Sequence, residues 1–143
     1  MAGESTTSVT LQVATPLGMQ LDLQVEFVQL PGVSGEFGVL PGHIPMLAAL
    51  KPGVMRYRHD GQTVIAAIGS GYAEADSKQV RVISEFFARP KDVSLEEAKA
   101  DLAKAEERLK TLRAMLGDPE QLEAAGDLDW ARARIDVATS LTH

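Results

Sequence analysis

From Val9 to about Ala88 the hydrophobic residues recur at every second position. Met19, Leu21, Leu23, Val25 and Phe27 alternate with Gln20, Asp22, Gln24 and Glu26, the pattern of a strand with one dry face and one wet face. Val9, Leu11 and Val13 do the same ahead of a Thr-Pro-Leu-Gly turn at 15–18. Further strands are predicted at VMRYR (54–58), TVIAAI (63–68), YAEA (72–75) and QVRVISEFF (79–87). Turn chemistry separates them: KPG at 51–53, HDG at 59–61, GSG at 69–71 and DSK at 76–78. Short strands with frequent turns and no interleaved helix predict an N-terminal antiparallel β-sandwich or flattened barrel over residues 1–90.

Beyond Arg89-Pro90 the period changes. Ser94 and Glu97 stand at capping-box spacing, where hydroxyl and carboxylate satisfy the free amides of a helix start. Leu95, Ala98, Leu102, Ala105, Leu109, Leu112 and Leu116 then follow at alternating spacings of three and four, an unbroken heptad stripe. Glu96, Glu97 and Asp101 lie early and Lys110 and Arg113 late, as the helix dipole favours. Gly117-Asp118-Pro119 is read as the stop. A second helix is expected from Asp127, with Leu128, Ala131, Ile135 and Ala138 on one stripe after a connector of about ten residues. Residues 91–143 are therefore predicted to form a C-terminal antiparallel two-helix hairpin. Its alanine-rich seam permits close approach but buries little area, so the hairpin is expected to be the weaker half.

The chain has 143 residues with 45% hydrophobic and 24% charged positions, a globular composition. A net charge of −6 and the absence of any basic cluster argue against a nucleic-acid partner. No cysteine is present, which removes disulfides, thiol catalysis and zinc–thiolate sites together. No apolar run approaches the roughly 20 residues of a membrane helix, and the opening MAGESTTS is unlike a signal or transit peptide.

The inventory for catalysis is thin. His59 falls in a hairpin turn and His143 ends the chain, so solvated roles are expected for both. No HExxH, phosphate loop or GxSxG elbow occurs, and GSGYAE (69–74) lacks both the third glycine and the following helix of a dinucleotide fingerprint. No catalytic residue and no metal site is predicted. One segment stands out: GEFGVLPGHIPML, Gly35 to Leu47, with three glycines, two prolines, an acid and a histidine in an apolar run. Pro41 and Pro45 freeze φ on either side of His43, so the segment reads as a stiff loop holding Glu36, Phe37 and His43 in fixed directions. Stiffness without partner chemistry suggests recognition, and a tight sandwich corner is the plain alternative.

The long motif at 35–47, the KPG turn, the glycine-rich GSGYAE hairpin and the trailing helix pair together resemble the epsilon subunit of F-type ATP synthases, from about Val9 to Ile135. The resemblance implies a non-catalytic subunit of the central stalk, or rotor, coupling proton flow at the membrane to ATP chemistry on other subunits. Glu36, with Phe37 and Gly38, would face the ring of c subunits, while Thr15, His43 and Ala48 would face the gamma subunit. The protein would then sit peripherally on the cytoplasmic face of the plasma membrane and need no cofactor.

The helix pair resembles the family's regulatory domain, which folds on the sandwich or extends and blocks ATP hydrolysis against the catalytic alpha and beta subunits. Lys99, Lys104, Arg108, Lys110 and Arg113 offer a basic face on the first helix, but residues 91–143 hold eight bases against twelve acids. That balance argues against strong electrostatic inhibition. Some members sense ATP through an [IL]-D-x-x-R-A stretch at the start of the helical domain. Here that place reads VSLEEA (93–98), with Ser94 for the aspartate and Glu97 for the arginine, and a glutamate there repels phosphate. The letters recur as LDWARA (128–133), where Asp129 is read as a helix-starting residue. A nucleotide-sensing module binding ATP through the hairpin is the alternative reading.

Overall fold

The computed structural model of the chain describes residues 8–112 and 119–140. Ten strands come first: β1 (Val9–Thr15), β2 (Gly18–Val25), β3 (Phe27–Gly32), β4 (Gly35–Val39), β5 (Met46–Leu50), β6 (Gly53–His59), β7 (Gln62–Ile68), β8 (Gly71–Ala75), β9 (Gln79–Ser84) and β10 (Phe87–Ala88). They hydrogen-bond in the order β10-β7-β6-β3-β5-β8-β9-β1-β2, with β4 paired to β3 outside that path. The sheet folds over on itself around one aliphatic core, in which Val9, Leu11, Val13, Val28, Leu30, Val39, Met55, Val80 and Val82 are fully shielded from solvent. This is the predicted sandwich.

One pairing departs from the antiparallel expectation. β1 runs parallel to β9, with Leu11 opposite Val80 and Val13 opposite Val82. Alternation within a strand dictates which face is buried, not which strand lies beside it, so the residues gave no hint of this pairing. The GSG turn is explained by close approach: a side chain at Gly71 would put its Cβ 1.9 Å from the Ile83 carbonyl oxygen. The glycine admits β8 against β9.

β7 is buried on both faces. Ala66 and Ile68 belong to the sandwich core, while Ile65 and Ala67 form a second cluster with Ala133 and Val137, flanked by Val54, Ala88 and Trp130. That second face is covered by a helix. The chain leaves the sheet through Arg89, whose Nη2 donates to the Gln20 carbonyl at 3.1 Å and whose guanidinium lies 5.0 Å above the Phe87 ring. A short 3₁₀ turn at Pro90–Asp92 leads to α1 (Leu95–Leu112), where the hydroxyl half of the predicted cap forms: the Glu97 amide donates to Ser94 Oγ at 3.3 Å. Ala98, Ala105 and Leu112 are its buried residues, in heptad register as predicted.

α2 spans Pro119–Thr139 and so begins eight residues before the expected Asp127. Pro119 fits the first helical position, Glu120 suits the positive end of the dipole, and the residues after it are good helix formers. Gly126, read as part of a connector, sits inside the helix and is tolerated there. Of the predicted stripe, Ala131 is buried and Leu128, Ile135 and Ala138 are half-buried. The helix serves two partners at once, α1 on one side and β6–β7 on the other. Sandwich, α2 and α1 are three successive layers, with α1 packed chiefly on α2. Leu116, Gly117 and Asp118 of the predicted stripe and stop lie outside the described residues.

Candidate functional site

The segment 35–47 is not a loop but a strand, a turn and a strand. Among the described residues β4 pairs only with β3, Gly35 facing Gly32 at the hairpin tip and Glu36 facing Pro31. Glu36 is exposed and accepts a hydrogen bond from Gln29 Nε2 at 2.9 Å. Gly38 is exposed beside it, whereas Phe37 is half-buried against the sandwich core and anchors the strand. β4 then runs five residues, roughly 16 Å at about 3.3 Å per residue, to the opposite end of the sandwich. There Gly42 takes a φ of +84°, open to glycine, and its amide donates to the Ser77 carbonyl at 3.0 Å. His43 Nδ1 is 2.6 Å from the carbonyl oxygen of Ile44. One motif thus presents Glu36 at one end of the sheet and His43 at the other.

The turn beneath His43 is stiffened by Asp76. Its carboxylate accepts from the Lys78 amide at 2.7 Å and the Gln79 amide at 3.0 Å, and these two bonds hold its pKa below the usual aspartate range. Elsewhere, burial pushes the Tyr57 phenol up, against the pull of nearby Arg89.

The other residues expected to meet gamma are spread out. Thr15 ends β1 beside the Leu50–Gly71 end of the sheet, far from the His43 end. Ala48 is half-buried, opposite core residue Ala73, so its exposed neighbours Leu47 and Ala49 carry the outward surface. They frame a feature not foreseen. Ala49, Tyr72, Ile83, Ala14 and Met19 are successive cross-strand partners over β5, β8, β9, β1 and β2. Tyr72, Ile83 and Met19 are 51%, 36% and 56% exposed. The row spans roughly 19 Å at the usual strand spacing, wide enough to seat a helix of about 10 Å diameter. Beside it runs a polar row, Glu74, Arg81, Gln12 and Asp22, ending in exposed Leu47. The sequence signal was available: Tyr72 and Ile83 occupy the outward positions of strands whose inward positions are apolar too.

The helices divide the predicted basic face. Lys99, Lys104 and Lys110 are exposed, but Arg108 turns into α2, its nitrogens 3.5 Å from Glu123 and Asp127 and 3.9 Å from Glu120. Arg113 lies outside the described residues, as does His143. Arg134 Nη2 donates to Asp101 Oδ2 at 2.8 Å and its guanidinium lies 5.4 Å over the Trp130 ring. The Trp130 ring in turn stacks on Phe86 with centroids 5.0 Å apart, fastening the hairpin to the sandwich. Ser94 of VSLEEA is spent on the helix cap, and Asp129 of LDWARA lies mid-helix, not at a helix start. Among the described residues no group of three or more metal-ligating side chains converges, and no helix is long and apolar enough to cross a membrane. His59 is held in its turn, Nδ1 2.8 Å from the Gln24 carbonyl.

Residues 8–90 match the family described as ATP synthase, Delta/Epsilon chain, beta-sandwich domain. The ATP synthase epsilon chain of Trichlorobacter lovleyi is 41% identical over 128 residues, covering 90% of this chain and 91% of its own. That of Synechococcus elongatus is 36% identical over 136 residues, covering 94% of this chain and 97% of its own.

The chain belongs to the ATP synthase epsilon chain family.

The likeness extends through the helices, since the matched length reaches well past the sandwich. Among solved structures, a chain of the Euglena gracilis mitochondrial ATP synthase superposes with a TM-score of 0.75 at 18% identity, over 93% of this chain and 82% of that one. A chain from the central stalk and c-ring of the Tetrahymena thermophila enzyme gives 0.52 at 11% identity, over 94% and 96%. At these identities the two likenesses show a shared fold alone.

Proposed function

We propose that this epsilon chain is a non-catalytic rotor subunit, peripheral on the cytoplasmic face of the membrane, that helps couple proton translocation to ATP synthesis. The observation that carries the reading is the placement of two different surfaces on one rigid sandwich. The apolar row through Tyr72 and Ile83, framed by Thr15 and His43, suits a packed contact with the gamma subunit. The exposed Glu36 at the β3–β4 tip suits a polar contact with the c-subunit ring. Torque passes between two partners only if the body between them is stiff, and a continuous hydrogen-bonded sheet supplies that stiffness. The helical hairpin is the regulatory element, docked here on β6–β7 and releasable toward the catalytic alpha and beta subunits. This reading takes no cofactor.

Because the chain lacks cysteine, single-cysteine variants give clean cross-links in the assembled complex. Tyr72→Cys links to gamma and Glu36→Cys to the ring. Exchange of those two products, or failure of both, refutes the assignment. The ATP-sensing alternative draws no support from VSLEEA, where the serine is engaged and the glutamate repels phosphate. Calorimetric titration separates the two readings, micromolar ATP affinity favouring the sensor.

A further inference from the structure

A second surface converges on Glu36. Between the β3–β4 tip, the β5–β6 turn and α2 lies a cleft of about 450 Å³. Its charged walls are Glu36, Lys51 and Arg56 from the sandwich and Asp129, Arg132 and Asp136 from α2. The three α2 residues stand at helical spacings of three and four, so they share one face. Among the described residues, none of the six forms an ion pair. The contrast with the other side of α2 is sharp, because Asp127 and Arg134 there are both paired across to α1. The hairpin satisfies its charges on the α1 side and leaves them open where it meets the Glu36 end.

Three cations and three carboxylates in one cleft decide what it accepts. A phosphate or nucleotide meets three repelling acids, and a metal ion meets three repelling bases. A polar protein loop carrying both signs of charge meets a partner for each. The cleft is also continuous with exposed Glu36, so a partner touching that carboxylate reaches α2 as well.

We infer that α2 completes the Glu36 contact surface, so that the ring partner binds a composite of sandwich and docked hairpin. This rests on the reading that Glu36 meets the c-subunit ring. The consequence is linkage: a ring that binds better when α2 is docked holds the hairpin down, and by reciprocity a docked hairpin tightens the ring contact. Releasing α2 removes three of the six charges from the cleft, so regulation and rotor attachment share one surface.

The test uses the full chain in complex with gamma and a detergent-solubilised c ring. Trp130, the chain's single tryptophan, reports hairpin docking through its stack on Phe86. Arg132→Glu and Asp136→Lys, both at exposed positions, leave Trp130 emission unchanged and each weaken ring binding roughly ten-fold, mid-range for coupled sites. In Val137→Ala, where docking is loosened, adding the ring returns Trp130 emission toward the docked value. Wild-type ring affinity in both α2 variants, while Glu36→Lys loses the ring, overturns the composite surface and leaves the Glu36 contact standing. Wild-type affinity in Glu36→Lys as well overturns both. Should either α2 variant shift Trp130 emission by itself, ring affinity in the other variant decides between these outcomes.

Discussion

The sandwich and the hairpin bury different kinds of side chain. The sandwich core is filled chiefly by Val, Leu, Ile and Met, whereas among the described residues the buried positions of the two helices are Ala98, Ala105, Ala124, Ala131 and Ala133 with only Leu112 and Val137. Burying a full Val or Leu side chain contributes about 1.5–3 kcal/mol, and an alanine methyl far less. The two regions therefore have unequal strength by construction. The weak region is held to the strong one by a few identifiable contacts: the Trp130–Phe86 stack and Ala133 and Val137 on Ile65 and Ala67. The proposed switching of the hairpin requires a small free-energy gap between docked states, and few fastenings are consistent with one.

The widest separation between the two regions is expected from Leu30→Ala. Leu30 is fully shielded in the sandwich core, and its truncation should destabilise the whole domain by about 2–5 kcal/mol, read as a lower melting midpoint by circular dichroism. Val137→Ala probes the weaker side. The loss of two buried methyl groups amounts to about 1.5 kcal/mol, but it falls on hairpin docking. Trp130 emission should shift while the sandwich melt stays close to that of the wild type. Equal displacement of both signals would mean that the halves unfold as one.

Phe86→Ala removes a half-exposed ring stacked on Trp130. The expected loss is about 0.5–1.5 kcal/mol, visible as faster amide exchange along α2 with strand amides unaffected. The smallest effect is acid-dependent and confined to the sandwich. The folded pKa of Asp76 is lowered by its two amide bonds. Its contribution is therefore present above the usual carboxylate range and is lost as pH falls through the depressed folded value. An NMR titration should place the Asp76 midpoint below that of an unfolded aspartate, and Asp76→Asn should flatten the acid limb of the sandwich melt without touching Trp130.

How much of this was legible in the residues follows the same divide. Alternation at Val9–Val13 predicted β1 and that at Met19–Phe27 predicted β2, though β2 ends at Val25 and Phe27 opens β3, and Ser94 with the heptad stripe predicted α1. Those signals are local, each written within one element. The parallel β1–β9 pair is a non-local choice that neither strand encodes. α2 was mistaken at its start because Gly126 and Pro119 are breakers in most contexts, yet Pro119 occupies the one helical turn that accepts it. Its second face was missed because Trp130, Ala133 and Val137 look like noise against a single stripe until β7 is seen to be apolar on both sides. The run VIAAI, unbroken by any polar residue, was the clue to that cover. The site shows the same limit: Glu36 and His43 were singled out, but the exposed apolar row exists only once five strands are in register.

The rotor role stands or falls with a gamma-binding face on that row. The decisive experiment is co-purification of the full chain with the gamma subunit, wild type beside Ile83→Asp. A stable complex with the wild type is expected, and its loss in the variant, which exposes a charge at the middle of the row without disturbing the core. A wild-type chain that fails to retain gamma, or a variant that retains it fully, would contradict a gamma-binding role for the row.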